Sequence, residues 1–176
     1  SPSGYFKKKQ QLEIDLLHHA NYYLKHVFLS NHYRSLHPNL IAFSNLFFYQ
    51  NKLKAFEHIS APKHPVQHHF IKDGCYSERI NINEAIGICT FISKHINSKE
   101  KIGIVAFSEA QLSCIYEHLN PETRIILNQR IEEDSLFFQS LEKVQGDECD
   151  RLIISFGYAA NPDGKFELRF GPLNMQ

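Results

Sequence analysis

No stretch of the 176 residues reads GxxxxGKS or GxxxxGKT, so the chain lacks the glycine-rich cradle, lysine and magnesium-binding hydroxyl of a self-contained phosphate-binding loop. The acidic pair that accompanies such a loop is missing too. No apolar run approaches the roughly 20 residues of a membrane helix, which argues against a membrane partner. The opening SPSGYFKKKQQ has neither an apolar signal core nor an initiator Met, and the end is equally abrupt; both suggest a piece of a longer chain. Excess charge is absent as well, since Lys+Arg and Asp+Glu both number 19, so any phosphate-binding surface must be local. Cys75, Cys89, Cys114 and Cys149 form no CxxC pair, and at least two lie in apolar stretches where thiols pack as small hydrophobes. A reduced, cytoplasmic setting is expected. Nothing repeats internally, and no segment is of low complexity.

What is present describes a globular chain with 43% hydrophobic residues, long enough for one core and therefore read as a single domain over 1–176. Histidine is abundant at 11, including His18-His19, His64 and His68-His69. Adjacent histidines diverge by about 100° on a helix and face opposite sides of a strand, so neither doublet readily supplies two ligands to one metal ion.

The apolar spacing predicts a helix over residues 8 to 27, with Leu12, Leu16, Leu17, Ala20, Tyr23, Leu24 and Val27 on one face. After the short apolar strand Val27-Phe28-Leu29, a loop carries Tyr33 and Arg34 into a second helix that has Pro38 in its first turn. Phe43, Phe47, Phe48 and Tyr49 suggest base stacking, but the apolar repeat predicts core positions for at least Phe47 and Phe48, and Tyr49 is left open. Residues 51–74 read as a surface excursion punctuated by Pro62 and Pro65, with a short strand at 65–71. From there the pattern alternates: a helix from Asn83 to Ile96, a strand at Ile102–Phe107, a helix from Glu109 to Leu119, and strands at Arg124–Leu127 and Leu152–Phe156. Such alternation predicts a parallel sheet covered on both faces.

Ligands of open α/β sheets bind at the carboxyl ends of strands, which directs attention to NHYRS, FSEAQ and VQGDE. LSNHYRSLHPNLIAFSNLFFY resembles the motif IV region of superfamily 1 DNA/RNA helicases, in which Tyr-Arg precedes His-Pro and a helix ending near Phe-Tyr. IGIVAFSEAQ is similar to that family's next signature strand, and SLEKVQGDECDRLIIS to its motif V, built on Gln-Gly-x-Glu. FGPLN resembles the segment before motif VI in a group of large bacterial helicase-related proteins, and the opening SPSGYF the tail of motif III. The likeness is collinear and spans nearly the whole chain.

The resemblance implies a RecA-like three-layer α/β/α lobe with a mostly parallel central sheet, the second of two motor lobes. ATP and Mg²⁺ would be bound mainly by a first lobe, and single-stranded DNA or RNA would run across both. Tyr33 and Arg34 would then face the nucleotide, the guanidinium neutralising charge on the transferring phosphoryl group. Gln145, Gly146 and Glu148 would complete that side, Glu148 accepting a hydrogen bond from the ribose and Gly146 allowing close backbone approach. Asp147 reads as a simple turn former. Ser108 and Gln111 would touch the nucleic acid at a helix N-terminus, although Ser108 is equally suited to be the cap. Ala106 departs from the family, which usually has Thr there, and removes one expected hydroxyl contact. A second expectation, from another class, is a non-catalytic interaction module on the same scaffold, since fold alone does not choose.

Overall fold

A computed structural model describes residues 20, 23–25 and 27–166. The expected helix over 8 to 27 lies mostly outside these residues, as do His18, His19, SPSGYF and FGPLN. The described residues fall into two compact units, one within 1–68 and the other within 69–176.

In the first unit the opening strand is not the apolar Val27-Phe28-Leu29 but the polar pair β1, Asn31–His32, which runs parallel to β2, Lys54–Ala55. Backbone pairing decides the matter: Lys54 N–H donates to the Ser30 carbonyl at 2.6 Å, whereas Val27, Phe28 and Leu29 stay exposed. Pro38 opens a helical turn as expected, at the start of a 3₁₀ helix over Pro38–Leu40 capped by the His37 ring, which accepts from Asn39 N–H at 3.1 Å. Helix α1, Ala42–Phe47, follows and buries none of its residues. The predicted core positions of Phe47 and Phe48 are therefore corrected, their exposures being 65% and 72%. A six-residue helix has too few turns to hold a long apolar stripe against two strands of two residues each. The strand expected at 65–71 does not form either; Val66 and Phe70 are exposed and no strand pairs with that segment among the described residues.

The second unit holds the regular α/β structure. Helix α2, Ile82–His95, begins where Asn81 accepts from Glu84 N–H at 3.1 Å, and it buries Ala85, Cys89 and Ile92, spaced by four and three. Strand β3, Ile102–Ala106, is buried throughout. Helix α3, Glu109–His118, starts at the Ser108 cap. Residues 124–127, read as a strand, are instead inside helix α4, Pro121–Glu132. Asn120 caps it by accepting from Thr123 N–H at 2.8 Å, Pro121 fits the first turn, and Thr123, Leu127 and Arg130 recur at helical spacing on the buried side. A strand period would have paired Leu127 with Ile125, which is exposed.

Two further strands complete the sheet: β4, Leu136–Ser140, which the sequence reading missed, and β5, Arg151–Ser155. All three run parallel in the order β4-β3-β5. In register, Ile102, Ile104 and Ala106 share one face with Leu136 and Phe138 on one side and Ile153 on the other. That face meets Ala85, Cys89, Ile92, Leu112, Ile115 and Leu127 of the three helices in one core. On the opposite face the Phe137 ring fills the place where a side chain on Gly103 would sit, so glycine is required by packing there. Leu152 and Ile154 project from that same face and are exposed. The architecture is α/β with parallel sheets and is compatible with a RecA-like fold.

Arg130 closes the end of the core opposite the strands' carboxyl ends. Its guanidinium donates to the carbonyls of Ile96 (2.7 Å), Ser98 (3.2 Å) and Ser135 (3.0 Å) and to that of Glu100, while Nε meets the Ser135 hydroxyl at 3.2 Å. One buried side chain thus gathers the ends of α2 and α4 and the entry to β4.

Candidate functional site

The carboxyl ends of β3, β4 and β5 form a rim with a bonded network. Ser108 Oγ accepts from Gln111 N–H at 3.1 Å and donates to the Arg79 carbonyl at 3.4 Å, so its capping role is realised. Gln111 is buried, and both ends of its amide are committed to Asn81: Oε1 accepts from the backbone N–H at 2.7 Å and Nε2 donates to the carbonyl at 3.1 Å. The Gln111 side chain therefore ties α3 to the start of α2.

The sequence reading passed over several rim residues. Ser140, the last residue of β4, donates to Glu109 Oε1 at 2.7 Å, and Lys143 Nζ pairs with the same carboxylate at 2.8 Å. The lysine holds the Glu109 carboxyl below the usual carboxylate range, helped by Ser140, and is itself pushed up by the glutamate. Glu84 accepts from the Ser155 hydroxyl at 2.7 Å and from Gly157 N–H at 3.0 Å, tying the end of β5 to the first turn of α2. Beyond the strand ends, Phe107 stacks on Phe156 with centroids 5.0 Å apart, and Tyr158 extends the row to Tyr76 at 5.4 Å. The Asn81-x-x-Glu84 spacing was a legible helix-start signal. The aromatic row comes from separate segments and has no sequence signature.

Gln145, Gly146 and Glu148 occupy the β4-to-β5 connection, with Gly146 in the left-handed region at φ +88°. Parallel strands require this connection to return along the sheet. At its start Lys143 is bound to the rim; at its end Asp150 accepts from Lys101 N–H at 2.8 Å just before β3 begins. Cys149 lies between Glu148 and Asp150, its thiol pushed up by burial. Glu148 is thus held nearer the amino edge of the sheet than the Ser108 rim. In the first unit, His32 Nε2 bonds Ser35 Oγ at 2.8 Å and accepts from Ser35 N–H at 3.2 Å, folding a turn with Tyr33 and Arg34 at its exposed tip.

Among the described residues no group of three or more His, Cys, Asp or Glu side chains is arranged to hold a metal ion. Likewise among the described residues, no helix is long and apolar enough to cross a membrane.

The comparison with known proteins extends over almost the entire chain. An uncharacterized ATP-dependent helicase of Mycoplasma pneumoniae is 27% identical over 202 aligned positions, covering 99% of this chain. An uncharacterized ATP-dependent helicase of Mycoplasma genitalium is 25% identical over the same share. The chain is thus related to proteins named as helicases. It spans 18% of the length of these curated relatives. No protein-family model matches it.

Proposed function

We propose that this chain is the second motor lobe of an ATP-dependent superfamily 1 helicase acting in the cytoplasm, a single lobe to which both compact units belong. The observation that carries the reading is the coincidence of two likenesses. The ordered stretches YRSLHP, IGIVAFSEAQ and VQGDE run in the family's sequence, and the similarity to helicase-named proteins covers 99% of the chain. The parallel α/β sheet is the scaffold such a lobe needs.

Without a phosphate-binding loop, the chain does not hold ATP and Mg²⁺ by itself; a first lobe does so, and ATP supplies the free energy of the cycle. Arg34 stands at the tip of an exposed turn, suited to meet a phosphate arriving from outside this chain. Its guanidinium stays charged at any physiological pH and presents a planar fork of donors to phosphoryl oxygens. Tyr33, 93% exposed beside it, offers a ring face to the nucleotide. Gly146 lets a ligand approach the backbone of the β4-to-β5 connection, Glu148 accepts a hydrogen bond from the nucleotide ribose, and Gln145 helps to couple the nucleotide and strand sites. Ser108 and the turn of α3 it caps provide the nucleic-acid contact, with Gln111 positioning that turn. Closure of two lobes around ATP and their opening after hydrolysis then move the protein along one strand of DNA or RNA.

In the full-length parent, Arg34→Ala should lower ATP turnover by about 10³-fold or more while leaving single-strand affinity nearly intact. Undiminished turnover would sink the assignment. One observation favours the second reading, a non-catalytic interaction module: the rim side chains Ser108, Gln111, Glu109 and Glu84 are bonded to the fold itself.

A further inference from the structure

The stretch with which the second unit begins lies along the outside of α2 in a regular register. The Asn83 amide donates to the Asp73 carbonyl, the Ile71 side chain lies over Gly87, and the His69 ring meets Phe91 with centroids 5.6 Å apart. Two residues of the stretch are thus matched to every four of the helix. The match is metric, since two extended residues span about 6.6 Å and four helical ones about 6 Å. Alternation turns His69 and Ile71 towards the helix and leaves Lys72 and Phe70, the latter 85% exposed, in solvent.

Gly87 is what lets the stretch lie so close. Glycine weakens a helix interior, so its place in the second turn of α2 needs a reason. A Cβ there would stand 3.0 Å from Ile71 Cδ1 and 3.7 Å from its Cγ1. The missing side chain is a notch, and half-buried Ile71 is the key that fills it. Phe91 in turn meets His95, 4.4 Å away between centroids, which carries the contact into the last turn of α2.

Side chains alone fasten this stretch. Among the described residues, no backbone N–H from 63 to 73 donates to another protein group; the first to do so is that of Gly74, to the Ile71 carbonyl at 3.2 Å. Firm anchorage starts at Tyr76, whose N–H donates to the Ala160 carbonyl at 3.1 Å, and at Ser77 and Ile80, which exchange bonds at 3.0 Å. A segment with a solvated backbone and one half-buried apolar key opens at far lower free energy than a core whose strands are fully bonded.

We propose that residues 69–73 form a releasable strap, which unfastens from α2 while the α/β core stays folded. His69 is the first residue of the second unit, so release lets about five residues, on the order of 17 Å of extended chain, into the connection between the units. That connection therefore has two lengths, a short one with Ile71 in its notch and a long one without. The strap rests on no reading of the motor.

The test is digestion of the folded 176-residue chain with trypsin, followed by mass spectrometry. Cleavage after exposed Lys72 follows the strap, and cleavage after buried Arg130 follows opening of the core. Lys72 should be cut at a rate that low urea leaves unchanged, while cutting at Arg130 climbs with urea. Gly87→Leu fills the notch, and Ile71→Ser removes the key at a position outside any helix or strand. Each should speed cutting at Lys72 about tenfold or more and leave Arg130 unaffected. A Lys72 rate that tracks Arg130 across urea would show that strap and core open together. Cutting at Lys72 as fast in the wild type as in both variants would show that Ile71 does not occupy the notch. Either result overturns the strap.

Discussion

The two units solve the problem of apolar surface in opposite ways. In the second, a parallel sheet with three capped helices buries Ile92, Ile104, Ile115 and Leu127 almost completely. In the first, a pair of two-residue strands and a six-residue helix leave Phe43, Phe47 and Phe48 in solvent. The difference teaches that apolar spacing alone does not make a core. A core needs elements long enough to present the spaced residues to one another, and among the described residues those elements lie in the second unit.

The sharpest way to break this contrast is to truncate one side chain in each unit. Ile115→Ala should destabilise the second unit by about 3–4 kcal/mol, the loss of buried methylenes plus the cavity they leave. Phe47→Ala in the first unit should change stability by less than about 0.5 kcal/mol. Urea unfolding followed by circular dichroism measures both, and similar losses would show that Phe47 packs in solution. Next in size is Arg130→Met, which strands the carbonyls of Ile96, Ser98, Glu100 and Ser135. A loss of about 2–3 kcal/mol is expected from those unmet acceptors. A neutral outcome would mean that water replaces the guanidinium there.

The smallest effect concerns the exposed pair between Arg151 and Glu100, with Nε 2.8 Å from Oε2. The Arg151 hydrogen bond holds the Glu100 carboxyl below its ordinary value of 4.5 against the raising effect of burial. A carboxyl whose folded value is depressed contributes stability above its unfolded value and loses it as pH falls through the folded one. Glu100→Gln should therefore flatten the acid limb of the stability profile below about pH 4.5, by well under 1 kcal/mol because solvent screens the pair. An acid limb that matches the wild type would remove this pair from the ledger of the second unit.

The elements best read from sequence were those whose caps and periodicity agreed. Residues 83–96 and 109–119 have Asn81 and Ser108 at their starts and apolar residues at helical spacing, and both helices formed within a residue of those bounds. Arg124-Ile125-Ile126-Leu127 misled because a run of adjacent apolar residues fits a strand or a buried helix equally, and Asn120-Pro121 was the decisive signal. Leu136–Ser140 is hard to read as a strand because its apolar run is only three residues long and passes through Gln139 and Ser140 into a polar turn. Of the site residues, Ser108 was legible as a cap, but nothing in the sequence distinguishes a Gln111 that reaches a ligand from one buried against Asn81. Long-range partners such as Glu84 with Ser155, or Glu109 with Lys143, are set by sheet order and become visible only once the strands are aligned.

The β4-to-β5 connection is anchored at both of its ends, by Lys143 to Glu109 and by Asp150 to Lys101. A rope made fast at two posts transmits a sideways pull to both, however small the deflection at its middle. The posts stand at opposite ends of the sheet, Glu109 just beyond the carboxyl end of β3 and Lys101 just before its start, so the Gly146 turn between them is tethered to both edges at once.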